Sequence, residues 1–144
     1  QPMNIRKSYK FYAAHRNQEI DGKCWNIHGH RYGIDVIFDV VQPPGSSISI
    51  LFEDFDAKVE PFLKNHYDHA LLLDRADPLA PHLQRFGEEE GRELKIKWFD
   101  APTSAENLAA VLFDEIAGMG FEVNRVEVKE TDSSVVTYQA APPF

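Results

Sequence analysis

The sequence predicts an α+β fold in which helices cover one face of a small antiparallel sheet. Three observations carry that prediction. Two segments in the first forty residues alternate apolar and polar side chains with a period of two. Two more do so at the far end, and the stretch between them holds helix caps and apolar residues at helical spacing. The order strand, strand, helices, strand, strand is read as a four-stranded antiparallel sheet with the helices on one face.

From Ile5 to His15 the odd positions are Ile, Lys, Tyr, Phe, Ala and His, and from His28 to Val40 the even positions are His, His, Tyr, Ile, Val, Phe and Val. Alternate side chains of a strand share a face, so each segment has a mainly apolar face that includes histidine at one end. Pro43-Pro44-Gly45-Ser46-Ser47 ends the second strand. Asp54 caps a helix with Phe55, Val59, Phe62 and Leu63 on one side, which Pro61 is expected to kink or divide. Asp77-Pro78 supplies an N-cap and a first-turn proline for a short extra helix that buries Leu79, Leu83 and Phe86 and stops at Gly87. Glu88-Glu89-Glu90-Gly91 is then a solvated loop leading to an extended Leu94–Phe99. Thr103 and Glu106 form a capping box for a helix carrying Leu108, Val111, Leu112 and Ile116, closed by Gly118 and Gly120. Phe121–Glu130 and Ser134–Gln139 are strands joined at Thr131-Asp132-Ser133, and Ala140–Phe144 reads as a tail. A small sheet with free edges invites pairing with copies of itself.

The 144 residues fit a single domain spanning 1–144, and 43% hydrophobic residues suffice for a core without disulfides or metal. The one cysteine, Cys24, has no intrachain partner, which fits a reducing compartment. The longest aliphatic run, Ala70-Leu71-Leu72-Leu73, is too short for a membrane span or a signal peptide, so the expected location is cytoplasmic. A net charge of −8 disfavours a broad nucleic-acid interface, although a local basic patch can still hold a small anion.

The chemistry concentrates in Cys24-Trp25-Asn26-Ile27-His28-Gly29-His30. In an extended backbone His28 and His30 project to the same side, with Gly29 between them. Zinc takes three protein ligands when catalytic and four when structural, which directs attention to His15 at the end of the first strand. Three histidines alone would leave an open metal position. Cys24 has three readings at this level: fourth ligand of a closed site, free nucleophile, or inert buried thiol. Glu130 shares parity with Val126 and Val128 and is therefore drawn inward without an evident cationic partner.

Ala13-Ala14-His15, the Cys-x-x-x-His-Gly-His of 24–30, Asp68-His69, Pro102-Thr103-Ser104-Ala105-Glu106-Asn107 and Glu130-Thr131 together resemble the 6-pyruvoyltetrahydropterin synthase and 6-carboxytetrahydropterin synthase family, in the family's order and over most of the sequence. The resemblance implies the tunnelling fold (T-fold), in which subunit sheets join into an oligomeric barrel, commonly as a trimer or homohexamer with active sites between subunits. It implies a lyase in which His15, His28 and His30 hold a catalytic zinc. Cys24 then acts as base or proton shuttle, Asp68 and His69 form its proton-exchanging pair, and Glu130 anchors the pterin ring. Lys23 is a candidate triphosphate contact. The family's Pro-Thr-Ala-Glu-Asn is one residue longer here, so a ligand contact falls on Thr103 or on Ser104.

The substrate so implied is 7,8-dihydroneopterin triphosphate. The three-residue gap between Cys24 and His28 is associated with members that release acetaldehyde and form 6-carboxytetrahydropterin for queuosine and 7-deazaguanine biosynthesis. The alternative is 6-pyruvoyltetrahydropterin formation for the tetrahydrobiopterin pathway. An alternative of another class is a zinc-stabilised oligomeric pterin-binding module without turnover, in which Cys24 is a ligand or inert. The insertion at about 75–93 has no assigned role.

Overall fold

The computed structural model describes residues 2–141. Its frame is a long antiparallel hairpin of β1 (Pro2–His15) and β2 (His28–Val41), in register from Pro2 opposite Val41 to His15 opposite His28. The alternation in both segments is what makes the hairpin: Phe11 and Ala13 of β1 and Tyr32, Ile34, Val36 and Phe38 of β2 all lie on one face and are buried. The helix α1 (Phe52–His66) follows, then β3 (Ala70–Asp74), α2 (Ala80–Glu90), β4 (Ile96–Phe99), α3 (Ala105–Ala117), β5 (Val123–Thr131) and β6 (Ser134–Gln139).

The sheet has six strands in the order β4-β3-β1-β2-β5-β6, rather than the expected four. The four expected antiparallel strands are β1, β2, β5 and β6; β3 and β4 add to them in parallel, Ala13 lying opposite Ala70 and Leu72 opposite Lys97. The physical reason lies in Ala70-Leu71-Leu72-Leu73. A strand covered on both faces reads as a continuous apolar run, and the alternation test passes over it. Leu72 and Leu73 are indeed fully buried although they point to opposite sides.

The helices depart from expectation at their ends. Pro61 does not divide α1, which runs unbroken from Phe52 to His66, with the Asp54 carboxylate accepting the Leu51 N–H at 3.3 Å. Gly87 does not stop α2. It lies buried inside the helix where a Cβ would press within 3.3 Å of the Arg92 carbonyl, and Glu88–Glu90 continue the helix to Gly91, whose φ of 66° is the left-handed stop. At α3 the N-cap is Ser104, one residue later than expected, its hydroxyl accepting from the Asn107 N–H at 3.2 Å.

Phe55, Val59 and Leu63 of α1 and Leu108, Ala109, Leu112 and Ile116 of α3 close over the apolar face of the sheet, where Phe38 stacks on Phe55 with ring centroids 4.0 Å apart. Burying each large residue of this set stabilises the fold by about 1.5–3 kcal/mol. The other face carries a charged patch over β1, β2 and β5, where Arg6 bridges Asp35 and Glu127 at 2.8 and 2.7 Å. That two-sidedness puts the histidines at the end of the covered face. Of the tail, Pro142–Phe144 lie outside the described residues. No helix among those described is long and apolar enough to cross a membrane.

Candidate metal centre

The hairpin register assembles the site. His15 sits opposite His28 and Ala13 opposite His30, so three imidazoles meet on the covered face at one end of β1 and β2. Their ring centroids lie 4.6 Å (His15–His28), 5.1 Å (His15–His30) and 5.0 Å (His28–His30) apart. One nitrogen from each falls within 4.8 Å of the others, and among the described residues this is the only such group of three or more His, Cys, Asp or Glu.

The backbone fixes which nitrogens face inward. His15 Nδ1 lies 2.7 Å from the Thr103 carbonyl and His28 Nδ1 lies 2.8 Å from the Asn26 carbonyl. A carbonyl can only accept, so Nδ1 carries the hydrogen in both rings and Nε2 of the neutral ring keeps a lone pair. His15 Nε2 is buried with no hydrogen-bond partner, a costly arrangement for a polar atom. Burial, opposed by the Thr103 carbonyl and Glu130, lowers the His15 pKa and favours the neutral ring. Imidazoles whose outward N–H groups are bonded to carbonyls, as in His15 and His28, present Nε2 to a metal, and with a nitrogen of His30 within the same reach the triad could hold a divalent ion. Tyr32 packs under it, 6.0 Å from His15 and 5.5 Å from His30 between centroids, with its hydroxyl buried and unpartnered.

Glu130 lies beside the group. It follows buried Val126 and Val128 on the same face of β5, and its two oxygens lie 3.9 Å from His15 Nε2 and from His30 Nε2. Its neighbour Glu127, of opposite parity, turns to the polar face and pairs with Arg6 and Arg125.

Asp68 and His69 are brought to each other but not to the triad. His69 Nδ1 donates to Asp68 Oδ2 at 2.8 Å, and Asp68 Oδ1 accepts the Tyr12 N–H at 2.9 Å. That backbone donor, with His69 and Lys95, holds the Asp68 carboxyl below its usual range despite some desolvation. His69 has φ of 61°, uncommon for a residue with a side chain, and its ring is largely exposed beside Tyr12. Strand alternation puts Tyr12 on the face of β1 opposite to His15.

Cys24 is half-buried in a single 3-10 turn, Lys23–Trp25, and lies outside the close histidine group. Lys23 is exposed beside it. Thr103 is buried, its hydroxyl donating to the Arg16 carbonyl at 3.1 Å while its own carbonyl holds His15; Ser104 is occupied as the cap of α3. Arg16 was passed over by sequence reasoning and Asp77 was read there only as a helix cap; the two form a buried ion pair with Nε 2.7 Å from Oδ2. Sixty-one positions separate them, and no periodicity links such residues.

A family model described as 6-pyruvoyl tetrahydropterin synthase matches residues 4–141. The chain belongs to this family. A relative named 6-carboxy-5,6,7,8-tetrahydropterin synthase from Haemophilus influenzae is 28% identical over 145 residues, covering 94% of this chain and 97% of the relative. A protein of the same name from Synechocystis is 30% identical over 139 residues, covering 93% and 91%. Among solved structures, an uncharacterized protein from Wolinella succinogenes superposes with a TM-score of 0.77 at 18% identity, covering 98% of this chain and 99% of that one. The 6-pyruvoyl tetrahydropterin synthase of Caenorhabditis elegans gives 0.68 at 20% identity, covering 98% and 97%. These two likenesses establish the shared T-fold.

Proposed function

We propose that the protein is a zinc-dependent 6-carboxy-5,6,7,8-tetrahydropterin synthase, converting 7,8-dihydroneopterin triphosphate and water to 6-carboxytetrahydropterin, acetaldehyde and triphosphate, as in queuosine and 7-deazaguanine biosynthesis. What supports this reading is the three-histidine group, with two rings fixed in the ligating tautomer and, among the described residues, no fourth His, Cys, Asp or Glu within the same mutual reach. Relatives bearing that enzyme name match along nearly the whole sequence, and the three-residue gap between Cys24 and His28 suits the same product.

When bound at the triad, zinc supplies a Lewis acid that polarises the hydroxyl-bearing part of the substrate and favours proton loss from the adjoining carbon. His15, His28 and His30 hold the metal, and the Thr103 and Asn26 carbonyls keep two of these rings in the ligating tautomer. Glu130 accepts the ring N–H and amino group of the pterin, two parallel donors matched to two carboxylate oxygens. Cys24 takes and returns the substrate proton; His69, oriented by Asp68, exchanges it. Lys23 meets the triphosphate. Thr103 and Ser104 serve from behind the site, one steadying His15 and the other capping α3.

In a single subunit the Asp68–His69 pair and the triad occupy opposite faces of β1. The proposal therefore includes a cytoplasmic trimer or hexamer whose sites lie between subunits, each pairing the triad of one subunit with the Asp-His pair of another.

Incubating zinc-loaded protein with dihydroneopterin triphosphate, with mass spectrometry of the pterin and an acetaldehyde assay, tests the reading. The expected result is equal amounts of 6-carboxytetrahydropterin and acetaldehyde. A pyruvoyl product without acetaldehyde would move the assignment to the other synthase, and tight pterin binding without turnover to a binding module.

A further inference from the structure

The 3-10 turn that carries Cys24 has no buried residue of its own. Trp25, the large apolar residue next to the cysteine, is 48% exposed, so packing in the core does not hold this turn. Polar links do. The Cys24 carbonyl accepts the Asn17 N–H at 2.9 Å, and Arg16 lies with its guanidinium carbon 4.8 Å from the centroid of the Trp25 ring while Nη1 reaches the Trp25 carbonyl at 3.4 Å. Cys24 is thus bracketed by Asn17 on its own carbonyl and Arg16 on its neighbour.

Arg16 is itself fixed from the far side. Its Nε donates to Asp77 Oδ2 at 2.7 Å, and the Asp77 side chain is wholly inaccessible to water. The other Asp77 oxygen accepts the Leu79 N–H at 2.9 Å, which ties the carboxylate to the approach of α2. A second link runs parallel: Gln18 Nε2 donates to Asp74 Oδ2 at 2.8 Å. Burying an ion pair adds little net stability and is best accounted for where it fixes one geometry. Only a guanidinium can serve Asp77 through Nε, the Trp25 carbonyl through Nη1 and the indole through its flat face at once; an ammonium cannot.

We infer that Arg16 and Asp77 are positioning residues for the active-site thiol: the segment between β3 and α2 supplies a buried carboxylate that sets Arg16, and Arg16 sets the turn bearing Cys24. This gives the inserted 75–93 region a role in the reaction. The inference rests on the proposed part of Cys24 in proton transfer, so its test includes readouts independent of turnover.

The experiment uses zinc-loaded protein carrying Trp98→Phe, which leaves Trp25 as the one indole. Arg16→Lys keeps the charge and removes the fork. The double variant Arg16→Met/Asp77→Leu removes both buried charges together and so avoids leaving one unpaired in a variant that fails to fold. Expected in both are zinc near one per subunit, Trp25 emission shifted to the red, and faster alkylation of Cys24 by iodoacetamide. With them kcat falls about tenfold to a hundredfold while KM stays within about threefold, because a misplaced proton-transfer group costs rate more than binding. Unchanged emission and alkylation would overturn the inference, as would loss of zinc, which would mean that the pair serves His15 instead. Loosened emission and alkylation with full activity would also overturn it if Cys24→Ala is inactive. If Cys24→Ala is active, the proton-transfer reading of Cys24 has failed, and the anchoring of the turn stands on the two spectroscopic and chemical readouts.

Discussion

Because carbonyl groups of Thr103 and Asn26 fix the tautomers of His15 and His28, each ring offers one lone pair in one direction, and removing a ring removes a third of the donor set. Zinc-loaded wild type should carry about one metal per subunit, His28→Ala should lose it, and Cys24→Ala should keep it, as elemental analysis after dialysis will read. Acid should act in the same place. An unfolded polypeptide protonates histidine near about pH 6.5, whereas buried His15 takes its proton only at lower pH. The unfolded state then binds more protons as pH falls through about 6.5, so folded stability declines from there down to the lowered His15 value. Melting metal-free protein between pH 8 and pH 5 should show flat stability above that range and a fall within it; a rise on acidification would contradict neutral burial. Glu130→Gln sets an NH₂ group against pterin donors and should weaken binding by about 2–5 kcal/mol in a calorimetric titration with dihydroneopterin, with zinc retained. All four of these residues were legible in the sequence, since strand parity alone puts the three histidines and Glu130 on the covered face. The pairing of Arg16 with Asp77 was not, because a buried ion pair between distant loops leaves no periodic trace; Asp77 showed only its capping chemistry.

At the scale of elements, the sequence signals were sound where a face was half-buried and misleading where it was not. Alternation identified β1, β2 and β5, while β3, apolar on both sides, carried a continuous run that shows no alternation. Helix ends slipped for a similar reason: the choice among Thr103, Ser104 and Glu106 depends on where the backbone leaves β4, which local chemistry does not encode. The cap makes a clean test. Ser104→Ala should cost about 1 kcal/mol because it orphans the Asn107 N–H, and Glu106→Ala, outside the cap, should stay within about 0.5 kcal/mol in urea unfolding. Pro61 offers the converse. It sits exposed in the interior of an unbroken helix, where it withholds the N–H that would reach the Ala57 carbonyl. Pro61→Ala should therefore stabilise the protein by about 1–3 kcal/mol, and a loss of stability would show that the proline's rigidity outweighs the missing bond.

For the whole molecule, the triad lies on the His15 face of β1 and His69 beside Tyr12 on the other, so the proposed mechanism brings them to one substrate by joining two subunits. Copies must meet if the proton-transfer pair is to serve the metal centre, and the exposed sheet edges at β4 and β6 give them a means. This makes complementation decisive. On the proposed mechanism His69→Ala retains the triad and Cys24 but lacks the imidazole assigned to proton exchange, and Cys24→Ala retains the Asp68–His69 pair but has no thiol, so each alone should lose about a hundredfold or more in rate. Co-expressed in equal amounts, they should assemble randomly. A site then works when its triad comes from a His69→Ala subunit and its Asp-His pair from a Cys24→Ala subunit, which gives about a quarter of wild-type activity in a closed cyclic assembly. Sites built within one subunit would regain nothing, since every subunit carries a lesion. Light scattering of the mixture fixes the assembly size in the same experiment; activity that stays at the level of the single variants in a mixed trimer or hexamer would show that Cys24 and His69 act from the same subunit, and a His69→Ala protein as fast as wild type would place the Asp68–His69 pair outside the chemistry.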